Sequence, residues 1–261
     1  MKPLILSTFC LAFGAGACLG SDLPPGVTSA QLLPGWLDQD GNRIAAIELV
    51  LEPGWKTYWR QPGDTGLPPS FDWSDSNNLA QVTVHWPAPE AIRSGDEMTL
   101  GYHDRLVLPL RISPQHPSRD IDLRVAMDFG VCENICVPAH VVMKAAPPLP
   151  EPDPRITAAL RHVPRKSGIV PPCHVSAIDD GLRLVVNLPQ PDVEAAAIEI
   201  PDQPEIWVST AHLDMTPEGI TATADLVPPE ARPFDLDMSG LTITLIDGED
   251  ATEMQGCALT G

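Results

Sequence analysis

Between Leu123 and Cys132 the residues alternate in character: Leu123, Val125, Met127, Phe129 and Val131 hold one parity, and Arg124, Ala126, Asp128, Gly130 and Cys132 the other. This is the period-2 signature of a half-buried strand, and it places Cys132 on the face opposite the apolar one. Glu133-Asn134-Ile135 has the length of a three-residue hairpin loop, and Cys136-Val137 with His140-Val141-Val142-Met143 reads as the returning strand. Similar runs occur at Arg43 to Leu51, Gln81 to Trp86, Arg105 to Ile112 and Val137 to Lys144. A second set covers Leu182 to Leu188, Ala195 to Ile200, Glu205 to Thr210, Ile220 to Leu226, Leu241 to Ile246 and Cys257 to Leu259. Short strands broken by turn residues, in a chain with 30 prolines, 19 glycines and little helical periodicity, predict an all-β protein of two antiparallel β-sandwich domains.

Proline marks the joint between them. Pro147-Pro148-Leu149-Pro150-Glu151-Pro152-Asp153-Pro154 can continue neither sheet nor helix and is expected to form a stiff, extended linker that holds the domains at a fixed offset. Ile156 to Val163 reads as a short helix ahead of Pro164, and Pro171-Pro172-Cys173 opens the second domain. The expected division is a signal peptide over residues 1–21, a first domain over 22–146, the linker with its helix over 147–169, and a second domain over 170–261, each domain large enough for a separate core. Five of the six tryptophans precede residue 90, and Trp55, Trp59 and Trp73 fall in the Pro- and Gly-rich stretch 54–73. That stretch is either core aromatics with a tight loop or an ordered aromatic loop that shields or presents a site.

The amino terminus changes the compartment. Met1-Lys2, the apolar run Leu4 to Ala17 and the small residues Ala15-Gly16-Ala17 match a secretory signal with its cleavage site, so an exported protein is expected. Cys18 offers the alternative of a lipid-anchored start, against plain cleavage near residues 17 to 21. No later segment approaches 18 apolar residues. Loss of Lys2 with the signal leaves 15 basic residues against 35 acidic ones, a formal charge of −20. Such a surface repels nucleic acid and anionic lipid, and no nucleic-acid partner is expected.

An oxidising compartment gives the cysteines their meaning. Cys10 lies in the signal and Cys18 at its edge, which leaves Cys132, Cys136, Cys173 and Cys257, four residues with three pairings. Pairing within each domain joins Cys132 to Cys136 and Cys173 to Cys257. By the chain-entropy argument a five-residue ring gives only ~2 kcal/mol, whereas closing about 85 residues gives ~4.5 kcal/mol. The first bond is thus a poor staple and a candidate working bond, and the second a candidate structural one. An inert local crosslink, or two buried thiols, stays open for Cys132 and Cys136. Glu133 and Asp128 would raise a thiol pKa there, while His140, His103 or Arg105 would lower it if folded close.

Several motifs together resemble a known family. Gly54-Trp55-Lys56-Thr57-Tyr58-Trp59, Pro62-Gly63-Asp64, Leu67-Pro68-Pro69, Trp86-Pro87-Ala88-Pro89, Gly101-Tyr102, and Val131-Cys132 with Ile135-Cys136-Val137-Pro138 are similar to the periplasmic amino-terminal region of DsbD-type and ScsB-type thiol-disulfide interchange proteins. The resemblance spans most of the first domain, and the ScsB-type branch carries a second β domain like residues 170–261. It implies immunoglobulin-like domains, no cofactor, and a protein-disulfide reductase activity in which Cys132 and Cys136 form the redox pair. Cys136 then matches the cysteine that makes the mixed disulfide with clients. The implied partners are a membrane thiol-disulfide electron donor and thioredoxin-fold periplasmic clients. Two departures stand out: three residues separate the cysteines where DsbD has a longer gap, so its aromatic cap has no assigned counterpart here, and the sequence ends at Gly261 without the family's membrane and thioredoxin segments. The donor is therefore expected to be a separate protein. Two other readings stay in play: a copper(I)-handling protein using Cys132, Cys136 and a nearby His or Met, and a non-catalytic double sandwich in which both bonds are staples.

Overall fold

The structure is a computed structural model that describes residues 23–95, 97–189, 193–216 and 219–260. The expected signal peptide, Cys10 and Cys18 lie outside the described residues. In the first half ten strands follow in order: β1 (Val27–Leu37), β2 (Arg43–Leu51), β3 (Lys56–Tyr58), β4 (Ser70–Asp72), β5 (Leu79–Val84), β6 (Glu90–Ser94), β7 (Glu97–His103), β8 (Arg105–Pro114), β9 (Arg124–Cys132) and β10 (Cys136–Lys144). They make two facing antiparallel sheets, one in the order β1-β2-β8-β5 and one in the order β10-β9-β3-β7-β6, with β4 also paired to β9. Ile47, Leu49, Leu108 and Leu110 of one sheet meet Val125, Met127, Phe129 and Val131 of the other in a single buried cluster. The apolar parity of β9 is the core face, as its alternation predicts.

Strand β2 does not alternate; all but two of its residues are buried. The cause lies on its outer face, where Leu33, Ala46 and Ile156 form a second small cluster. Ile156 belongs to α1 (Pro154–Arg161), which starts at an Asp153 cap whose carboxylate accepts from the Arg155 N–H, with Pro154 at the first helical position. Beneath the helix Glu48 is buried but satisfied. Gln31 donates to it at 2.6 Å, Arg155 at 3.1 Å and Arg105 at 3.0 Å.

The proline-rich segment is docked on the first sandwich rather than spanning open space. Leu149 donates its N–H to the Gly35 carbonyl at 2.7 Å, and Arg43, 1% exposed, donates to the carbonyls of Pro34, Ile121 and Ala146. Burial without a carboxylate partner lowers the Arg43 pKa.

The second half comprises β11 (Arg165–Ser167), β12 (Pro172–Ile178), β13 (Gly181–Leu188), β14 (Ala195–Glu199), β15 (Trp207–Val208), β16 (His212–Thr216), β17 (Gly219–Val227), β18 (Thr242–Asp247), β19 (Asp250–Gln255) and β20 (Ala258–Leu259). Its sheets run β11-β19-β18-β14 and β15-β17-β13-β12-β20, with β16 beside β17. A disulfide joins Cys173 to Cys257 inside the core cluster, with Cα atoms 6.0 Å apart. The protein is all-β with two sandwiches, though two short pairings, β11 with β19 and β12 with β20, are parallel. Each runs between segments far apart in sequence, so no hairpin constrains their direction.

Each sandwich has its own core cluster, and the two meet at a seam. Ala195 and Ala197 of β14, with Ile246 and Ala251, join the first sandwich's cluster. Alanine on β14 leaves room for the neighbouring domain to approach.

Arg43→Met is expected to leave three inward carbonyls unpaired and to lower the unfolding free energy by about 3 kcal/mol. Urea denaturation of the full chain checks this; an unchanged midpoint would show that the guanidinium is dispensable.

Candidate functional site

Strands β9 and β10 are joined by Glu133-Asn134-Ile135, and Cys132 and Cys136 are the facing residues that close the hairpin. Their sulfurs are 2.6 Å apart. Cys136 is exposed and Cys132 only 6% exposed. Cys132 does point away from the core, so its burial comes from a cover laid over the outer face of the sheet.

That cover is Tyr58 with Leu67. Strand β3 pairs with β9 through Lys56 opposite Cys132 and Thr57 opposite Val131, and the Thr57 hydroxyl donates to the Gly130 carbonyl at 2.9 Å. Side chains two apart share a face, so Lys56 and Tyr58 both lie on the thiol side. Gly130 admits the ring: a Cβ there would sit 2.8 Å from Tyr58 Cε2 and 2.9 Å from Leu67 Cβ. Gly66 plays the same part on the other side, where a Cβ would meet Pro62 at 2.3 Å and Tyr58 Cδ1 at 3.0 Å. Tyr58 is 1% exposed, and its Oη lies 2.8 Å from Cys136 Sγ. Within the stretch 54–73, Trp59 is fully buried in the core and Tyr58, at the end of β3, lies over the thiols.

Burial and the hydrogen bond with Cys136 raise the Cys132 pKa, against a downward pull from the Tyr58 hydrogen bond and the Lys56 charge. Burial also holds the Tyr58 phenol well above its ordinary range, reinforced by its bonds to Cys136 and Cys132.

The side chains that would lower a thiol pKa if folded close are engaged elsewhere. His140 Nδ1 lies 2.7 Å from Asp128, His103 Nδ1 lies 2.7 Å from Glu90, and Arg105 binds Glu48. The charge that does reach Cys132 is Lys56, 7% exposed, with Nζ 3.4 Å from Ser94 Oγ and 3.5 Å from Thr99 Oγ1. Sequence reasoning missed Lys56 and Tyr58 as site residues, although their spacing in Gly54-Trp55-Lys56-Thr57-Tyr58-Trp59 puts them on one strand face. On the outer face of the hairpin, Leu67, Pro68, Phe129, Pro138 and Ala139, with Ser70, Asp128 and His140, line a shallow groove of about 270 Å³, and Ile135 at the hairpin tip is 77% exposed. Among the described residues, no three His, Cys, Asp or Glu side chains gather as metal ligands. No helix among them is long and apolar enough to cross a membrane.

Residues 29–147 match the family described as "Thiol:disulfide interchange protein DsbD, N-terminal". Among solved structures, the N-terminal periplasmic domain of ScsB from Proteus mirabilis is similar in fold, with a TM-score of 0.62 at 23% identity over 89% of this chain and 92% of that one. No curated protein matches the chain. The likeness to the ScsB domain takes in both sandwiches, while the family match ends with the first. Residues 29–147, the segment similar to the DsbD N-terminal family, carry the hairpin thiols and their cover.

Proposed function

We propose that this protein is a periplasmic thiol-disulfide interchange protein that relays reducing equivalents to oxidised clients through Cys132 and Cys136. Thiol-disulfide interchange is the chemistry of the family matched by residues 29–147, and both that family and the similar ScsB structure are periplasmic. The observation that carries the finer reading is the asymmetry of the pair: two thiols in contact, one exposed and one covered.

The exposed Cys136 thiolate attacks a client disulfide, a new S–S bond forms, and one client thiolate leaves. Deprotonated Cys132 then attacks Cys136 Sγ, the Cys132–Cys136 bond forms, and the second client sulfur departs as thiolate. Two electrons pass to the client, and solvent balances the protons. A separate membrane dithiol then reduces the bond again. The shallow groove at Leu67, Pro68 and Pro138, edged by Ser70 and the Asp128–His140 pair, offers a largely apolar seat for a client of thioredoxin fold, and the acidic surface excludes nucleic acid. Cys173–Cys257, closing a span of 84 residues inside a core, serves as a staple.

The reduction potential tests this directly, by thiol alkylation and mass spectrometry across a graded dithiol buffer with Cys173–Cys257 as internal reference. Cys132–Cys136 is expected to titrate well above about −300 mV, the ceiling for structural disulfides. A pair as resistant to reduction as Cys173–Cys257 would sink the relay and leave two staples.

The pKa directions give a second test. Because the Cys132 pKa is raised, little thiolate exists at neutral pH, and the resolving step should speed up about tenfold per pH unit until that pKa is reached. In a Cys136→Ser background, the alkylation midpoint of Cys132 should lie above that of an ordinary thiol, and Lys56→Met should move it higher still. A midpoint unmoved by Lys56→Met would remove Lys56 from the site.

A further inference from the structure

The chain that covers the thiols is held from the second sandwich. Segment 59–66 leaves β3 just after Tyr58, crosses to the second sandwich, and returns at Gly66 and Leu67 to the thiol face. In between, the side chains of Arg60, Gln61 and Asp64 bond to the other domain, while Leu100 of β7 accepts from the Trp59 backbone N–H and donates to the Pro62 carbonyl, both at 3.0 Å. Arg60 makes a two-pronged contact with Glu199, Nε to Oε1 and Nη2 to Oε2 both at 2.8 Å, and reaches Glu253 at 3.0 Å. The three side chains are only 15–23% exposed, and the guanidinium stacks 4.3 Å from the Trp59 ring centroid. Gln61 donates to the Val208 carbonyl at 3.2 Å. Asp64 and Thr210 bond reciprocally, the Asp64 N–H to Thr210 Oγ1 at 2.9 Å and the Thr210 N–H to Asp64 Oδ1 at 2.7 Å. Gly63, at φ +93°, permits this contact, since a Cβ would lie 2.4 Å from Thr210 Oγ1. The seam around Pro62 is tight, with a void of about 10 Å³.

We propose that the second sandwich is a positioning element for the thiol pair, with Arg60 as the positioning residue: by latching segment 59–66 it keeps Tyr58 and Leu67 closed over Cys132. Arg60 follows Tyr58 by two residues, about 7 Å of extended chain, so little slack separates latch from cover. A planar guanidinium forked onto a carboxylate fixes direction as well as distance, which a point charge would not. The functional weight of the latch rests on the reading of Cys132 and Cys136 as a working pair, but the cover itself is measurable without it.

The test is the alkylation rate of Cys132 in the reduced full chain, resolved by mass spectrometry, with no client or redox buffer present. Arg60→Gln and the double variant Glu199→Gln/Glu253→Gln should each speed it about tenfold, because a covered group reacts through local opening. Arg60→Lys should fall between, keeping the charge but losing the fork. Arg183→Gln, which removes a surface pair to Asp225 within the second sandwich, should leave the rate unchanged, separating the latch from general loosening. If Arg60→Gln does not fold, Thr210→Val carries the same test through Asp64. Folded latch variants in which Cys132 stays as protected as in the parent would overturn the proposal. Such a failure leaves the reduction potential untouched, and a staple-like potential leaves the protection measurement standing.

Discussion

The contact of the Tyr58 ring with the bare backbone of Gly130 organises the site. Strand β3 has three residues, and only two of them pair with β9. So short a strand has a weak register of its own, and a slip by one residue would exchange its faces. What holds it is the opposite demand of its two parities. Thr57 and Trp59 face inward and are fully buried, with Trp59 donating its backbone N–H to the Leu100 carbonyl at 3.0 Å. Lys56 and Tyr58 must then face the thiols. The large indole in the core thus fixes which side chains meet Cys132 and Cys136, and the missing side chain at Gly130 lets them come close.

The polar groups buried on the far side of the sandwich do related work at a distance. Arg43 and Glu48 are costly to bury, but each is fully engaged, one by backbone carbonyls and the other by Gln31, Arg105 and Arg155. Those partners belong to β1, β8, the segment before β9 and the chain after β10, so the two residues tie the linker and α1 to the sheet. With that side fixed, the alanines of β14 seat the second sandwich against the first, and its carboxylates come within reach of Arg60. Position is transmitted from a proline-rich joint to the cover of a thiol through rigid contacts rather than through the linker's stiffness alone.

Strands with many buried apolar residues, on one face or on both, were legible in the sequence. Arg43–Leu51 has the bounds that its composition indicates, and β8, β9, β10, β13, β17 and β18 lie within a few residues of theirs. Strands without a clean buried parity were missed. In β6 only Ile92 is buried; β19 mixes Asp, Thr, Glu and Gln with Ala251 and Met254; β1 is broken by Pro34 and Gly35 with a register shift between Leu33 and Trp36. The helix was visible, though it begins at Pro154 rather than Ile156, because proline suits a first turn. At the site, the hairpin and its facing cysteines were readable from spacing. The partners of the cysteines were not, since they come from strands distant in sequence, and the nearby histidines prove to be paired with carboxylates on adjacent strands.

The two cysteine pairs sit in different surroundings. Cys173 and Cys257 bring together distant segments, and β12 and β20 pair in parallel beside the bond. Cys132 and Cys136 lie at the end of a ladder of nine facing residue pairs between β9 and β10. That ladder holds the thiols together whether or not they are bonded. A ring of five residues adds only ~2 kcal/mol to such an arrangement. Breaking the bond therefore changes the oxidation state of the sulfurs while leaving the strands, the register and the cover where they are, which is what a pair must allow if it is to pass electrons without unfolding its own domain.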